Sequence, residues 1–362
     1  MVVLESGGRR SALSGGVRGS RTISVMPESL DAADLDLVAA LQRAPRAGVR
    51  LLADVLEMST STVSRRLTRL VDERLLKVIG QLNWSVFSDA HPQHVWISAR
   101  PGTAGQVARD LAALPETQFA AITSGRSDVY GILQPGARAD GADLITERVG
   151  GIPGVVATHT EIALRSYASA ATWLLDRLTS EQEARLRAEN PAPRDVAGMP
   201  GLGPEERRVA RALQQDGRVS AADIARRLEL SQSTAYRMIQ ALLERGAVVP
   251  RVEIEPAVLG FPLEAVISLT TELRSITGIA ATLGRHPSAR FVSTVAGTAS
   301  MIYNGAFRDE DELADLLTGD LAAIEGIRSV EIAVMLRVLT RYWLPRDGVL
   351  LAGRPAQVSA PT

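Results

Sequence analysis

Two clusters of hydroxyl and guanidinium side chains carry most of the chemistry this sequence offers. The first holds Ser59, Ser61, Thr62, Ser64, Arg65, Thr68 and Arg69; the second holds Ser231, Ser233, Thr234, Tyr236, Arg237 and Gln240. In each, a serine precedes a run with helical apolar spacing, so it is placed to cap a helix whose first turn presents hydroxyls and unpaired backbone N–H groups. Such a helix start binds phosphate oxygens, and arginine or glutamine further along reaches base edges in the major groove of double-stranded DNA. At about 100° per residue, a core face centred on Val63, Leu67, Leu70 and Val71 turns Ser61, Arg65, Thr68, Arg69 and Asp72 outward. Any surface helix has a solvated polar face. The short helices before each cluster, and the recurrence of the cluster itself, favour DNA contact over that plainer reading.

The recurrence sets the domain organisation. Leu56-Glu57-Met58-Ser59-Thr60-Ser61-Thr62-Val63-Ser64-Arg65 returns 172 residues later as Leu228-Glu229-Leu230-Ser231-Gln232-Ser233-Thr234-Ala235-Tyr236-Arg237. The same shift places Arg46 on Arg218, Phe119 on Phe291, Gly125 on Gly297 and Arg165 on Arg337 without a gap. The chain is therefore two copies of one two-part unit. Periodicity predicts three short helices with tight turns in each copy, a helix-turn-helix, then a linking strand over 75–86 in the first. A βαββαβ order of the ferredoxin-like kind follows, with strands at 94–99, 117–124, 129–134 and 155–164 in the first copy. The fold class is thus α+β: two winged or plain helix-turn-helix domains alternating with two ferredoxin-like domains, each sheet with one helix-covered face and one face free to pair. The boundaries expected are a disordered basic extension over 1–29, heads over 30–86 and 204–258, α/β domains over 87–172 and 259–346, a linker over 173–203 and a frayed tail over 347–362.

Composition narrows the function classes. No apolar window approaches the roughly 18 residues of a membrane span. The absence of cysteine excludes thiolate metal sites, disulfides and cysteine nucleophiles, and suits a cytoplasmic protein. A net charge of −1 gives no global pull toward nucleic acid, so DNA contact must come from local clustering. The four histidines, His91, His94, His159 and His286, show no metal-ligand spacing, and Pro92 breaks helical presentation of the first pair. No catalytic residue, metal or cofactor is expected.

The order of elements in both copies, together with the turn Thr123-Ser124-Gly125-Arg126-Ser127-Asp128-Val129-Tyr130, resembles the Lrp/AsnC (feast/famine) transcription regulators. The resemblance implies an amino-acid-responsive DNA-binding protein whose AsnC-type βαββαβ domains dimerise and bind ligand, with Gly125, Asp128, Gly297 and Ser300 as the matching turn positions. It also implies homo-oligomers built through those domains. Ordinary members carry one copy, so this chain resembles a fused, covalent pseudo-dimer. Two departures stand out. Ala241 replaces Arg69 and Met238 replaces Arg66 in the second head, which predicts unlike half-sites with the first head gripping harder; Ser300 replaces Asp128, which predicts weaker ligand response in the second α/β copy. The same architecture resembles siroheme decarboxylases, but the segments 125–132 and 297–304 hold no histidine for such catalysis. A ligand-independent architectural DNA-binding protein is the remaining alternative.

Overall fold

The computed structural model describes residues 30–189 and 201–352. The expected basic extension, the linker stretch 190–200 and the last ten residues lie outside them. In the first head, Asp31 caps α1 (Ala32–Arg43) by accepting the Asp34 N–H at 2.8 Å, and α2 (Val49–Val55) leads to α3 (Thr60–Asp72). Val63 and Leu70 of α3 are buried with Leu37, Leu41 and Leu52. Val71 is not part of this core: it is 48% exposed, because its bearing one residue past Leu70 carries it off a narrow packing seam.

The first α/β domain runs from β1 (Lys77–Leu82) through α4 (Trp84–Phe87), β2 (Gln93–Ala99), α5 (Ala104–Ala112), β3 (Thr117–Thr123) and β4 (Val129–Leu133) to α6 (Gly141–Asp143), which continues as a π-helical turn, and β5 (Val155–Ala168). After α7 (Ser180–Glu189) the second head comprises α8 (Pro204–Gln215), α9 (Ala221–Leu228) and α10 (Gln232–Glu244). The second α/β domain follows as β6 (Val248–Glu253), β7 (Leu263–Thr271), α11 (Ile276–Leu283), β8 (Ala289–Ala296), β9 (Met301–Phe307), α12 (Glu310–Asp315) and β10 (Ile327–Arg341). A hairpin of β11 (Leu344–Asp347) and β12 (Leu350–Leu351) ends the described chain.

β5 and β10 are longer than the strands they pair with, and each overhang pairs with the other copy. β5 runs beside β2 over Val155–Ile162 and then beside β8 over Ile162–Ala168. β10 runs beside β7 over Ile327–Val334 and then beside β3 over Met335–Arg341. The strand order β3-β4-β2-β5-β8-β9-β7-β10 thereby closes on itself, leaving neither copy's edge open along these strands. Trp96, Phe119, Tyr130 and Ile132 of the first copy share a core with Val266, Val295, Ile302 and Ala333 of the second. The sheet face expected to meet another subunit is therefore covered by the chain's own second copy.

Two expected boundaries change. Trp173, Leu175 and Leu186 are buried in the first head's core, so 173–189 belongs to that head and does not link freely. The hairpin extends order to Leu351, which is buried and donates its N–H to the Arg74 carbonyl, so 347–352 is not a frayed tail. Between the heads, β1 pairs antiparallel with β6, from Lys77 opposite Glu253 to Leu82 opposite Val248.

Candidate nucleic-acid interface

The two recognition helices begin with the same hydroxyl arrangement. Ser59 accepts the Thr62 N–H at 3.1 Å, and its hydroxyl lies 2.9 Å from that of Ser61 and 2.8 Å from that of Thr62. Ser231 accepts the Thr234 N–H at 3.1 Å, with Ser233 and Thr234 hydroxyls at 3.0 and 2.8 Å. Ser59, Ser61, Ser64, Arg65 and Thr68 are exposed on α3, and Ser231, Ser233, Tyr236 and Arg237 on α10; Thr62, Arg69, Thr234 and Gln240 are half-buried. Among the described residues neither Arg65 nor Arg237 has an ion-pair partner, so both guanidiniums remain available to an external anion.

Arg69 is placed differently from its expected role. It pairs with Asp34 of α1, which is 2% exposed, and with Glu73 at 3.2 Å; Arg66 reaches the same Asp34 and also Asp31, both at 2.8 Å. These hydrogen bonds to Asp34 raise both guanidinium pKa values. In the second head the position of Asp34 is Glu206, which pairs with Arg245 at 3.1 Å. The change from Arg66 and Arg69 to Met238 and Ala241 thus accompanies the replacement of one interhelical clamp by another. It is not a simple loss of DNA-facing charge.

A feature missed by sequence reasoning holds the heads together. Arg46 donates to the carbonyls of Gly217 and Val219, and Arg218 donates to those of Pro45 and Ala47 at 2.9 and 2.7 Å. Every partner is its counterpart's repeat equivalent, so the contact has an internal two-fold relation. Burial lowers the pKa of both arginines, and the Arg218 charge adds to the lowering at Arg46. The match of Arg46 to Arg218 under the 172-residue shift was the available signal.

The turns expected to bind ligand sit at the junction between copies. Asp128 accepts the Ala99 N–H at 2.8 Å, and Ser300 accepts the repeat-equivalent Thr271 N–H at 3.0 Å. Serine therefore preserves the capping bond of aspartate while removing its charge. Gly125 adopts φ +87°, a conformation that favours glycine, and a Cβ there would stand 3.0 Å from the Ile332 carbonyl of β10. Gly297 has no such φ. It is required by closeness, because a Cβ would lie 2.5 Å from the Glu161 side chain of β5. Glu161 is buried, accepts the Ala299 N–H at 2.9 Å and the Trp96 indole N–H at 3.3 Å, and so ties the second turn to the first copy.

His94 lies beneath this junction, its Nδ1 2.6 Å from the Tyr130 hydroxyl. Burial pushes its pKa down to about 4, partly opposed by the Glu161 charge. A folded pKa below the unfolded value means stability that is present in full above about pH 6.5 and is lost as pH falls through 4. Urea unfolding is expected to show a loss of roughly 3 kcal/mol between pH 7 and pH 4. His94→Phe should flatten that limb; an unchanged pH profile in the variant would assign it to other groups.

Two heads, each joined to a βαββαβ domain and closed into one sheet, define a tandem helix-turn-helix and ligand-binding-domain protein. Residues 30–77 match the family described as winged helix-turn-helix DNA-binding, residues 211–251 the IclR helix-turn-helix domain, and residues 264–342 the Lrp/AsnC ligand binding domain. Residues 264–342 thus carry an Lrp/AsnC ligand binding domain, and each head carries a helix-turn-helix match. It is 28% identical over 134 residues to an uncharacterized HTH-type transcriptional regulator of Pyrococcus abyssi, covering 37% of this chain and 85% of that protein. It is 24% identical over 132 residues to the HTH-type transcriptional regulator LrpA of Pyrococcus horikoshii, covering 36% and 94%. Less than half of this chain nearly spans each relative, as expected where only one copy is present. Among solved structures, the siroheme decarboxylase NirDL is similar over 89% of this chain and 95% of its own, with a TM-score of 0.57 and 11% identity. Its co-complex with an iron-uroporphyrin III analogue gives a TM-score of 0.56 at 12% identity, covering 86% and 95%. That likeness is one of fold, and it extends over both copies. Among the described residues no helix is long and apolar enough to cross a membrane.

Proposed function

We propose that this protein is a cytoplasmic transcriptional regulator that binds double-stranded DNA through two unequal helix-turn-helix heads, acting as a covalent pseudo-dimer. The observation that carries the reading is the reciprocal Arg46 and Arg218 contact, which holds two identically capped, exposed recognition helices in one fixed arrangement. A fixed arrangement selects half-sites by spacing as well as by sequence. An amino acid or related small molecule, taken up by the α/β domains, shifts DNA affinity by binding this arrangement more or less tightly than one in which the contact between the heads is released. The absence of histidine from the 125–132 and 297–304 segments favours regulation over decarboxylation.

Selection of bound genomic fragments is expected to return an imperfect palindrome with constant half-site spacing. Uniform recovery would instead support a purely architectural role. Arg65→Ala and Arg237→Ala are each expected to reduce the slope of log affinity against log salt by about one. An unchanged slope, read by fluorescence anisotropy on the selected site, would remove both arginines from the interface.

A further inference from the structure

The repeat gives the molecule two equivalent junctions between a head and the α/β pair, and they have diverged. At one, Leu35 and Ala39 of α1 belong to the same apolar cluster as Ile254, Leu259 and Ala306, and the junction is filled. A shift of 172 residues relates Leu35 and Ala39 to Arg207 and Arg211 of α8, and Leu259 and Ala306 to Phe87 and Gln134. Here the junction is hollow: these four residues line a cavity of about 1050 Å³. One copy's structural joint has become the other copy's chamber.

The chamber is both aromatic and cationic. Trp84, Phe291 and Trp343 line it together with Lys77, Arg207, Arg211, Arg290 and Arg341; among the described residues Glu264 is the one lining carboxylate, and Arg341 pairs both with it and with Glu255 outside the lining. Among the described residues, four lining side chains hold a buried polar atom without a hydrogen-bond partner: Gln81, Arg290, Asn304 and Arg341. Arg290 is 5% exposed, yet its Nε and Nη1 have no hydrogen-bond partner; Asn304 is 9% exposed, and its Oδ1 has none either. Arg290 has only an ion pair of 3.6 Å with Glu264 and the face of Trp173 at 4.8 Å. Burial, together with the neighbouring Arg341 charge, holds its pKa down at about 10, partly opposed by the charges of Glu264, Glu253 and Glu255. Buried polar atoms are ordinarily satisfied, so side chains that keep unpaired ones in the wall of a cavity point to a missing partner. The repeat equivalents of Arg290 and Asn304 are Gln118 and Ile132, so the arginine with an asparagine beside it is present in the second copy alone.

We infer that the cavity is a binding site for an organic acid with a planar apolar body, its carboxylate held by Arg290 and Arg207 and its body packed against Trp84, Phe291 and Trp343. The site is separate from the turns at 123–130 and 295–301, and its existence does not depend on DNA binding. Because α8 forms one wall, a bound acid spans the second head and the closed sheet.

A small aromatic acid and a porphyrin carboxylate share this chemistry, and size distinguishes them. Isothermal titration of the full chain with 2-naphthoate and with uroporphyrin III should show at least one of them binding once per chain, the tighter one setting the size class. Uncharged 2-naphthylmethanol should bind at least tenfold more weakly than 2-naphthoate. Arg290→Gln should weaken the bound acid tenfold or more, as should Arg207→Leu with Arg211→Ala, which installs the first copy's residues; the exposed Arg187→Ala should leave it unchanged. If circular dichroism shows that Arg290→Gln does not fold, the double variant decides. Failure of both acids to bind, two equal sites per chain, equal binding of the neutral compound, or full affinity in a folded variant would each overturn the assignment.

Discussion

Alanine at both Arg66 and Arg69 is expected to cost the first head about 3 kcal/mol or more, the cost of leaving a buried carboxylate without its cations. Asp34 is 2% exposed and both arginines reach it, so either single change leaves one partner and should cost only about 1 kcal/mol. The second head carries Met238 and Ala241 at these positions and keeps a carboxylate, Glu206, at the position of Asp34, but pairs it with Arg245 at 3.1 Å, so neither head leaves this acid without a cation. Adding Asp34→Ala to Arg66→Met and Arg69→Ala should therefore recover most of the loss, a coupling that a mutant cycle measures directly. Urea unfolding of the four variants checks the energies, and anisotropy on the selected DNA site checks the role. A folded, equally stable double variant with weakened DNA binding would return Arg69 to the contact face. Arg65→Ala provides the contrast: unchanged stability with weaker binding.

What the sequence displays and what it hides follow from the range of each interaction. Helix starts at Ser59 and Ser231, the βαββαβ order and the two-copy plan depend on neighbours within a few residues or on direct repetition, and all are legible. Arg69 is harder, because its angular position on α3 permits either solvent or α1, and the choice rests on an aspartate 35 residues away. The exchange of β5 and β10 between sheets is harder still: a long alternating strand does not say which partner its second half will meet. The terminal hairpin is hidden for a local reason. The two-residue turn that leads into it from β10 is Tyr342-Trp343, both at positive φ, 51° and 59°, where such turns favour Asn-Gly. Distant contacts hold it instead, with the Arg251 guanidinium 3.7 Å from the Tyr342 ring centre and the Trp343 indole N–H donating to the Pro115 carbonyl at 2.9 Å.

Duplication also explains why the functional asymmetry is concentrated where it is. In a homodimer, replacing Leu35 by arginine would open both junctions at once and remove apolar packing from both heads. In a fused pair the second junction can hold Arg207 and Arg211 while the first keeps Leu35 and Ala39 in its core. The first junction supplies rigidity, which leaves the second free to become a chamber. The reciprocal arginines at 46 and 218 are retained on both sides because each satisfies the other copy's carbonyls, and losing either would leave one turn unpaired.

That division of labour places an unusual load on Arg346 of the hidden hairpin. Its side chain is fully buried and pairs with both Glu253 of β6 and Glu255, while Arg341 of β10 pairs with Glu264 at 2.7 Å and Glu255 at 3.5 Å. The network joins the strand that bridges the heads to the closed sheet. Arg346→Ala should cost about 3–5 kcal/mol, because two buried carboxylates lose a partner that solvent cannot replace. Burial pushes the Glu255 pKa upward, but the Arg341 and Arg346 charges more than offset this and hold it at about 2. A folded value below the unfolded one means that this stability is present above about pH 4.5 and is lost as pH falls toward 2. Without Arg346 the Glu255 pKa rises, so the acid limb of the stability profile should move to higher pH as well as starting from a lower plateau. Thermal unfolding across pH 2–7, with limited chymotryptic proteolysis after Leu350 to detect release of the hairpin, measures both effects. A variant within 1 kcal/mol of the parent, with an unshifted acid limb, would mean that Arg341 and Arg251 alone suffice to neutralise the cluster.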